Sequence, residues 1–355
     1  MKSQILEAIA KALVADGKGI LAADETVGTL TKRFERLKIQ STPETRRDYR
    51  ELLFTTPGSA DFISGAIMYD ETIHQRNSKG VPLPDILVEQ GIIPGIKVDT
   101  GAKPLAGAQG ETVTEGLDGL RDRLRDYRAI GARFAKWRGV FRVTDRLPSE
   151  MCVSANAHAL GRYAALCQEQ DIVPIVEPEV LMEGNHTIDR CSEVTGNVLH
   201  SVFDALYEHK VLLEGMLLKP NMILSGSSCR TQASEMELAD ATMRCLLRHV
   251  PAVVPGIVFL SGGQSDVMAT KNLAAISRIS TSKPWKITFS YGRALQDQAL
   301  ATWSGNEKKY QPAQQAYYHR AKCNAGAAVG KYDATMDSRF TGEMVPTHHP
   351  DSEDD

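Results

Sequence analysis

Eight short apolar segments recur along this 355-residue chain, and they constrain its fold more than any other feature. Each has the length of a fully buried β-strand. They cover residues 19–24, 62–69, 92–99, 133–140, 172–180, 213–222, 256–263 and 285–293. Amphipathic stretches with helix start signals lie between most of them. Two capping boxes are predicted, one at residues 41–44 (STPE) and one at Ser234 with Glu237. Buried strands that alternate with helices favour a parallel sheet.

Eight such strands predict a closed α/β barrel, the (β/α)8 or TIM barrel. The alternative is an open, doubly wound sheet. That fold usually carries G-x-G-x-x-G after an early strand, which the sequence GILAADETVGTL at residues 19–30 does not match. We therefore predict one barrel domain over residues 1–340, including an N-terminal helix and C-terminal helices, and a mobile acidic tail over residues 341–355.

Charge and composition exclude several classes of function. The net charge of -3 gives no basic footprint for nucleic acid. No apolar run approaches the roughly 20 residues that cross a membrane. The six cysteines form no C-x-x-C pair and the nine histidines show no metal-binding spacing. We therefore expect a cytoplasmic protein with reduced thiols that binds no metal, cofactor, nucleic acid or membrane.

Charged residues collect near the carboxyl ends of six of the eight segments, where barrel enzymes place their active sites. They are Asp24, Lys97 with Asp99, Lys136 with Arg138, Glu177 with Glu179, Lys219, and Arg293. Residues two apart in a strand point to the same face, so each pair points together. A single pair of this kind is often a rim ion pair. The collection of all of them at one end predicts a pocket.

Three lysines in one pocket suggest nucleophilic amine chemistry. A free lysine has a pKa of about 10.4, and a catalytic amine needs one of roughly 7–8, which nearby cations and burial favour. Such an amine condenses with a ketone to a Schiff base, which accepts electrons when a neighbouring carbon–carbon bond breaks. Glu177 is available for the proton transfers of imine formation. Asp24 is available to exchange a proton with a substrate hydroxyl.

Two glycine-containing stretches predict a phosphate on the substrate. SGGQSD (residues 261–266) follows the seventh segment and SYGR (residues 290–293) closes the eighth, where barrels often bind phosphate. The backbone there can approach the phosphate closely, and Arg293 can bind it through two nitrogens. A second phosphate is predicted near Thr26 and Thr29, with Lys97 and Arg33.

Together these stretches resemble the class I, Schiff-base-forming fructose-bisphosphate aldolases, from about residue 17 to residue 331. The motifs include GKGILAADET, GIKVD, FAKWR, IVPIVEPE, LEGMLLKPNM, FLSGGQS and KPWKITFSYGRALQ. The resemblance implies a (β/α)8 barrel in a homotetramer that acts on a phosphorylated sugar. It assigns the Schiff base to Lys219, acid/base catalysis to Glu177, and further site roles to Lys136, Arg138, Glu179, Asp24 and Lys97. It assigns phosphate contacts to Ser261, Gly262, Gly263, Ser290, Gly292 and Arg293.

The chain departs from the family pattern at two places. The family's tail ends in a tyrosine that moves the proton at the carbon next to the imine, whereas this chain ends SEDD and its last tyrosine is Tyr332. Tyr332, a tail carboxylate or water are the candidates for that proton transfer. The family's Ser-x-x-Ser is replaced here by Thr26 and Thr29, which keep both hydroxyls.

The expected reaction is reversible, metal-independent cleavage of fructose 1,6-bisphosphate to dihydroxyacetone phosphate and glyceraldehyde 3-phosphate. Three alternatives stay open. The same chemistry could serve sedoheptulose 1,7-bisphosphate or fructose 1-phosphate. A barrel that only binds or scaffolds is disfavoured, because such a module has no use for a pocket of buried charge. A zinc-dependent aldolase is disfavoured, because no histidine cluster is evident.

Overall fold

The predicted (β/α)8 barrel is confirmed by the structure, a computed structural model that describes residues 2–338. Its strands are β1 (Gly19–Ala23), β2 (Ile63–Met68), β3 (Ile93–Lys97), β6 (Phe134–Phe141), β7 (Val173–Val180), β8 (Leu217–Leu218), β9 (Gly256–Phe259) and β10 (Lys286–Tyr291). They are all parallel and pair in this order, and β10 closes the barrel against β1. The antiparallel strands β4 (Ala102–Pro104) and β5 (Thr112–Thr114) form a hairpin between β3 and β6.

Helices follow or join the strands along the chain. They are α1 (Lys2–Leu13), α2 (Val27–Arg36), α3 (Pro43–Phe54), α4 (Asp70–His74), α5 (Leu83–Glu89), α6 (Leu120–Ala129), α7 (Glu150–Glu169), α8 (Ile188–Glu208), α9 (Glu235–His249), α10 (Asp266–Arg278), α11 (Arg293–Trp303), α12 (Tyr310–Ala328) and α13 (Thr335–Ser338). Within residues 2–338, none of the helices combines the length and the apolar character needed to cross a membrane. The predicted tail, residues 341–355, lies outside the described residues.

The helix start signals were predicted correctly in one case and wrongly in the other. Ser234 and Glu237 form the expected capping box at the start of α9. At α3 the cap is Thr42, and its reciprocal partner is Thr45. Because Pro43 takes the first helical position, the cap falls on the residue before it, and the box begins one residue later than predicted.

Alternate residues of the strands fill the interior of the barrel. An apolar cluster contains Ile20, Ala22, Ile67, Phe134, Val173, Ile175, Leu217 and Val258. Leu6, Ala10, Leu13 and Val14, from α1 and the residue after it, pack against this cluster, so the first helix covers the amino-terminal end of the barrel. A second, larger cluster lies between the strands and the surrounding helices. The carboxyl end of the barrel is left for polar residues.

Strand β8 is much shorter than the apolar segment that predicted it, residues 213–222. A short 3-10 turn, Leu213–Gly215, occupies the start of that segment. Pro220 ends the strand because proline has no N–H to donate to a neighbouring strand. Lys219 N still donates to Val176 O at 2.8 Å, so the lysine continues the pairing with β7. Lys219 therefore stands where the sixth barrel strand ends.

Candidate active site

The interior side chains change from apolar to charged toward the carboxyl end of the barrel. On β6, Phe134 lies in the apolar interior, and Lys136 and Arg138 follow at alternate positions. On β7, Ile175 is followed in the same way by Glu177 and Glu179. Asp24 after β1 and Lys219 after β8 continue the same pattern. These residues line one cavity, together with Lys97 of β3.

Four of the predicted catalytic residues form a continuous chain of ion pairs. Lys136 Nζ lies 2.8 Å from Asp24 Oδ2 and 3.3 Å from Glu177 Oε2. Lys219 Nζ lies 3.0 Å from the other oxygen of Glu177, Oε1. All four side chains are at least nine-tenths buried. One carboxylate, Glu177, therefore joins the two lysine side chains in the wall of the cavity.

Burial and charge act in opposite directions on the pKa values of Lys136 and Asp24. Burial alone would lower the pKa of Lys136, but the carboxylates of Asp24 and Glu177 outweigh burial and raise that pKa. Burial alone would raise the pKa of Asp24, but Lys136 and then Lys219 hold it below its ordinary value. Both groups are therefore charged at neutral pH. Lys136 is unsuited to be the unprotonated nucleophile and acts as a fixed cation.

The segment around Lys219 is fixed by side chains on both sides of the lysine. Leu217 and Leu218 are fully buried before it. After it, Asn221 Oδ1 accepts a hydrogen bond from Val180 N at 3.0 Å, and Asn221 Nδ2 donates to Thr195 Oγ1 at 3.2 Å. Because its neighbours are held, the lysine presents its amine to the cavity from a rigid support.

Two further ion pairs complete the charged wall. Arg138 Nε pairs with Glu179, and Lys97 Nζ pairs with Asp99. Asp99 also accepts hydrogen bonds from the backbone N–H of Gly101 at 3.1 Å and of Arg138 at 3.3 Å. Asp99 was expected near the pocket together with Lys97, but no role was predicted for it. It holds Lys97 in place and joins β3 to β6.

The predicted phosphate residues lie together at the loops after β9 and β10. Ser261, Gly262, Ser290, Gly292 and Arg293 all line the cavity. Ser290 Oγ is buried and has no hydrogen-bond partner within residues 2–338. Helix α11 begins at Arg293, and no side chain of the described residues caps it at Gly292. An anion fits such a site, because helix N-termini present N–H groups and positive potential.

Gly263 is not part of the cavity wall, although its motif predicted a phosphate contact. It has φ of +81°, and Gly262 has φ of +50°. Both values lie in the left-handed region that glycine adopts without strain. Gly263 therefore shapes the turn after β9, and its neighbours Ser261 and Gly262 face the cavity.

Thr26 and Thr29, which follow β1, line the same cavity, but Arg33 does not. Thr26 caps α2, and its hydroxyl accepts a hydrogen bond from Thr29 N at 3.1 Å. Arg33 is buried and pairs with Glu25 and with Asp297, the latter at 2.6 Å. The structure thus brings the two threonines to the site and directs the arginine away from it.

Several residues of the cavity wall were not predicted from the sequence. The side chain of Glu25 is only 6% exposed, and it binds Arg33, Arg50 at 2.8 Å and Gln296 at 3.0 Å. The feature of the sequence that could have indicated Glu25 is its position directly after Asp24. Thr114 and the hairpin residues Gly101 and Ala102 also line the cavity. No motif indicated them, because the hairpin reaches the site only through the tertiary fold.

Tyr332, a predicted candidate for proton transfer, lies elsewhere. It is buried, and its hydroxyl donates to Asp337 Oδ2. Burial and Asp337 raise its pKa. The other predicted candidate from the protein, a tail carboxylate, lies outside the described residues.

Comparison with known proteins gives one consistent result. A family model described as fructose-bisphosphate aldolase class-I matches residues 5–349. The chain is 56% identical over 333 residues to a probable fructose-bisphosphate aldolase class 1 of Xylella fastidiosa, which covers 94% of this chain and 99% of that one. It is 51% identical over 316 residues to a cytosolic fructose-bisphosphate aldolase of Arabidopsis thaliana, over 89% of this chain and 88% of that one. A solved structure of fructose-bisphosphate aldolase from Plasmodium falciparum, in complex with TRAP and a small-molecule inhibitor, matches with a TM-score of 0.92 and 46% identity, over 94% of this chain and 96% of that one.

Proposed function

Because the chain belongs to the class I fructose-bisphosphate aldolase family, a family of lyases, we propose that it cleaves fructose 1,6-bisphosphate reversibly through a Schiff base on Lys219. The products are dihydroxyacetone phosphate and glyceraldehyde 3-phosphate. The observation that carries this proposal is the Lys219 amine, buried at the end of β8 and 3.0 Å from the Glu177 carboxylate.

Imine formation needs a nucleophile and a proton carrier within reach of each other. The Lys219 amine adds to the C2 ketone of the substrate, and the carbinolamine then loses water. Glu177 Oε1 is close enough to give a proton to the departing hydroxyl and to take one from the nitrogen. Lys136 contacts the other oxygen of Glu177 and keeps the carboxylate in this position.

Cleavage of the C3–C4 bond requires a base for the C4 hydroxyl. Asp24 is available for this role because its carboxylate lines the cavity and is ionised at neutral pH. As Asp24 takes the hydroxyl proton, the bonding electrons move to the protonated imine and the aldehyde product is released. The enamine that remains on Lys219 must gain a proton at C3. Because Tyr332 is engaged by Asp337, a tail carboxylate or water is the better candidate for that step.

The two phosphates of the substrate would be held by two separate groups of residues in the cavity wall. One site consists of Arg293, Ser290 and the N-terminus of α11. It is supported by the Ser290 hydroxyl, which has no hydrogen-bond partner among the described residues. Lys97 and the Thr26 and Thr29 hydroxyls form the other. Arg138, which is paired with Glu179, adds a further cation to the cavity wall. This arrangement favours a bisphosphate over a monophosphate.

The chemistry as proposed needs no metal, since the protonated imine accepts the electrons of the breaking bond. In the part of the chain that the structure describes, the cavity wall carries neither imidazole nor thiol, the ligands that zinc sites mostly use. We further propose, from the family resemblance, a homotetramer located in the cytoplasm. That residues 1–340 form one domain stays a prediction.

The experiment is a comparison of Lys219→Met with Lys18→Met. Lys18 Nζ donates to the backbone of Ala60 and lies outside the cavity wall, so its loss controls for removing a partly buried lysine. We expect Lys219→Met to lose cleavage of fructose 1,6-bisphosphate while keeping the circular dichroism of the wild type, and Lys18→Met to keep its kcat. Residual cleavage by Lys219→Met within tenfold of the wild type would refute the proposal. The values of kcat/KM for fructose 1,6-bisphosphate, fructose 1-phosphate and sedoheptulose 1,7-bisphosphate then decide the preferred substrate.

A further inference from the structure

A compact cluster of metal-binding side chains lies outside the cavity, where α13 packs on α12. His319 and Cys323 are four residues apart on α12 and therefore share one face of the helix. Asp337 of α13 lies against them. Cys323 Sγ is 3.6 Å from His319 Nε2 and 3.9 Å from Asp337 Oδ1, and the last two atoms are 3.8 Å apart.

From this triangle of sulfur, nitrogen and oxygen we propose that His319, Cys323 and Asp337 form a structural zinc site. A point at the centre of a triangle with these sides is about 2.2 Å from every corner, which is the length of zinc bonds to nitrogen, oxygen and sulfur. The three ligand atoms are thus already spaced for one ion. Zn²⁺ accepts this mixture of a thiolate, an imidazole and a carboxylate, whereas Mg²⁺ and Ca²⁺ prefer oxygen ligands.

The cluster is partly exposed to solvent, so a metal ion can reach it. Cys323 is fully buried, while the side chains of His319 and Asp337 are 16% and 19% exposed. The ion therefore enters from the side of His319 and Asp337 and keeps a solvent molecule as its fourth ligand. A bond to the buried sulfur then places the ion partly out of water.

The residues around the cluster orient the carboxylate and balance its charge. Asp337 Oδ2 accepts a hydrogen bond from Tyr332, and Asp337 Oδ1 contacts Arg320 Nη1 at 3.0 Å. Outer contacts of this kind fix ligands at metal sites. Arg320 also lies 3.2 Å from Asp266. Binding of Zn²⁺ releases the thiol proton of Cys323 to solvent, and the ion with one thiolate and one carboxylate then forms a group of zero net charge. The Arg320 cation is then balanced by Asp266.

The site joins the last described helix to the body of the barrel. Helix α12 packs against α10 and α11, whereas α13 is a single turn. The three ligands lie outside the wall of the catalytic cavity. A bound ion therefore holds α13 on α12 and leaves the imine chemistry to Lys219. The proposed zinc site therefore uses residues that the proposed function does not.

The test is titration of the metal-free protein with Co²⁺, a zinc substitute whose absorption reports a thiolate ligand, followed by displacement with Zn²⁺. We expect one equivalent per chain, with a sulfur-to-cobalt band in the near ultraviolet that Zn²⁺ removes. Cys323→Ser abolishes the band. Asp337→Asn, which keeps the shape of the side chain, weakens Zn²⁺ binding by on the order of 100-fold.

Two controls separate this site from adventitious binding. Cys229→Ser removes a half-buried cysteine outside the cluster and leaves the band unchanged. Replacing the two consecutive histidines His348 and His349 by glutamine also leaves the cobalt band unchanged. Absence of the band in the wild type, its survival in Cys323→Ser, or wild-type affinity in Asp337→Asn would each overturn the proposal. Cleavage activity is the same with and without the ion, so loss of the zinc site and loss of the proposed function are distinguishable.

Discussion

Removal of the Lys136 cation by the substitution Lys136→Met is expected to destabilise the protein strongly at neutral pH. Lys136 Nζ lies 2.8 Å from Asp24 and 3.3 Å from Glu177. At an effective dielectric constant of 20, these contacts correspond to about 6 and 5 kcal/mol of attraction before desolvation is subtracted. Glu177 keeps Lys219 as a partner, but Asp24 loses its nearest cation. Removing one partner of a buried ion pair costs about 3–5 kcal/mol.

The pH dependence of this loss distinguishes a charge effect from a packing effect. In the wild type the pKa of Asp24 is lowered, so its contribution to stability is present above the ordinary aspartate pKa and is lost as the pH falls. In the variant, burial is no longer outweighed by Lys136 and raises the pKa of Asp24. Ionised Asp24 then destabilises the fold at neutral pH, and protonation relieves it. The difference between the two proteins therefore shrinks from pH 7 to pH 4.

The assay is urea unfolding followed by circular dichroism at pH 7, 5.5 and 4, at one protein concentration. Lys18→Met serves as the lysine control, and Asp24→Asn in both backgrounds isolates the pair. With Asp24→Asn present, the added substitution Lys136→Met should cost less than it does alone. The reasoning is refuted if Lys136→Met lowers the free energy of unfolding by less than about 1 kcal/mol at pH 7, or by an amount that does not change with pH. Either result would show that the ion pair between Lys136 and Asp24 does not stabilise the fold.

Three further predictions concern the cavity and the barrel interior. Glu177→Gln keeps the side-chain shape but cannot exchange protons, so kcat for fructose 1,6-bisphosphate falls about 10²–10⁴-fold; a kcat within threefold of the wild type contradicts its role. Arg293→Ala removes a charge-assisted phosphate contact worth about 1.5–3 kcal/mol, so kcat/KM falls about 10- to 150-fold. Borohydride trapping of unphosphorylated dihydroxyacetone should be unchanged by Arg293→Ala, and an equal loss there would argue against a phosphate contact. Gly95→Ala places a Cβ 2.3 Å from the Phe134 ring and costs about 1–3 kcal/mol of stability, whereas Gly28→Ala, exposed in α2, gains about 0.5–1 kcal/mol. Equal melting temperatures for these two variants would contradict the interior packing.

The barrel could be predicted from the sequence because its strands are buried on both faces. Buried strands are continuous apolar runs, and a charge at the end of such a run stands out. The pairs Lys136 with Arg138 and Glu177 with Glu179 were informative for this reason. Their spacing places both members on the interior face, and the structure has them in the cavity wall.

The rest of the site depends on contacts that the sequence does not display. Glu25 contributes to the wall, but its partners Arg33, Arg50 and Gln296 are brought to it by three different helices. Arg33 was expected at a phosphate for its charge, yet the same charge is used in pairing with Glu25 and Asp297. Local patterns reveal which residues are costly to bury. They do not reveal which partner compensates the cost.

The most direct test of the central claim is borohydride reduction of the protein with and without dihydroxyacetone phosphate, followed by peptide mass mapping. The proposal predicts a reduced ketone adduct on the peptide that carries Lys219, formed only when the ketone is present, and none on Lys97 or Lys136. The Lys219→Met variant should show no adduct. Absence of an adduct in the wild type, or an adduct on a different lysine, would contradict the assignment of the Schiff base.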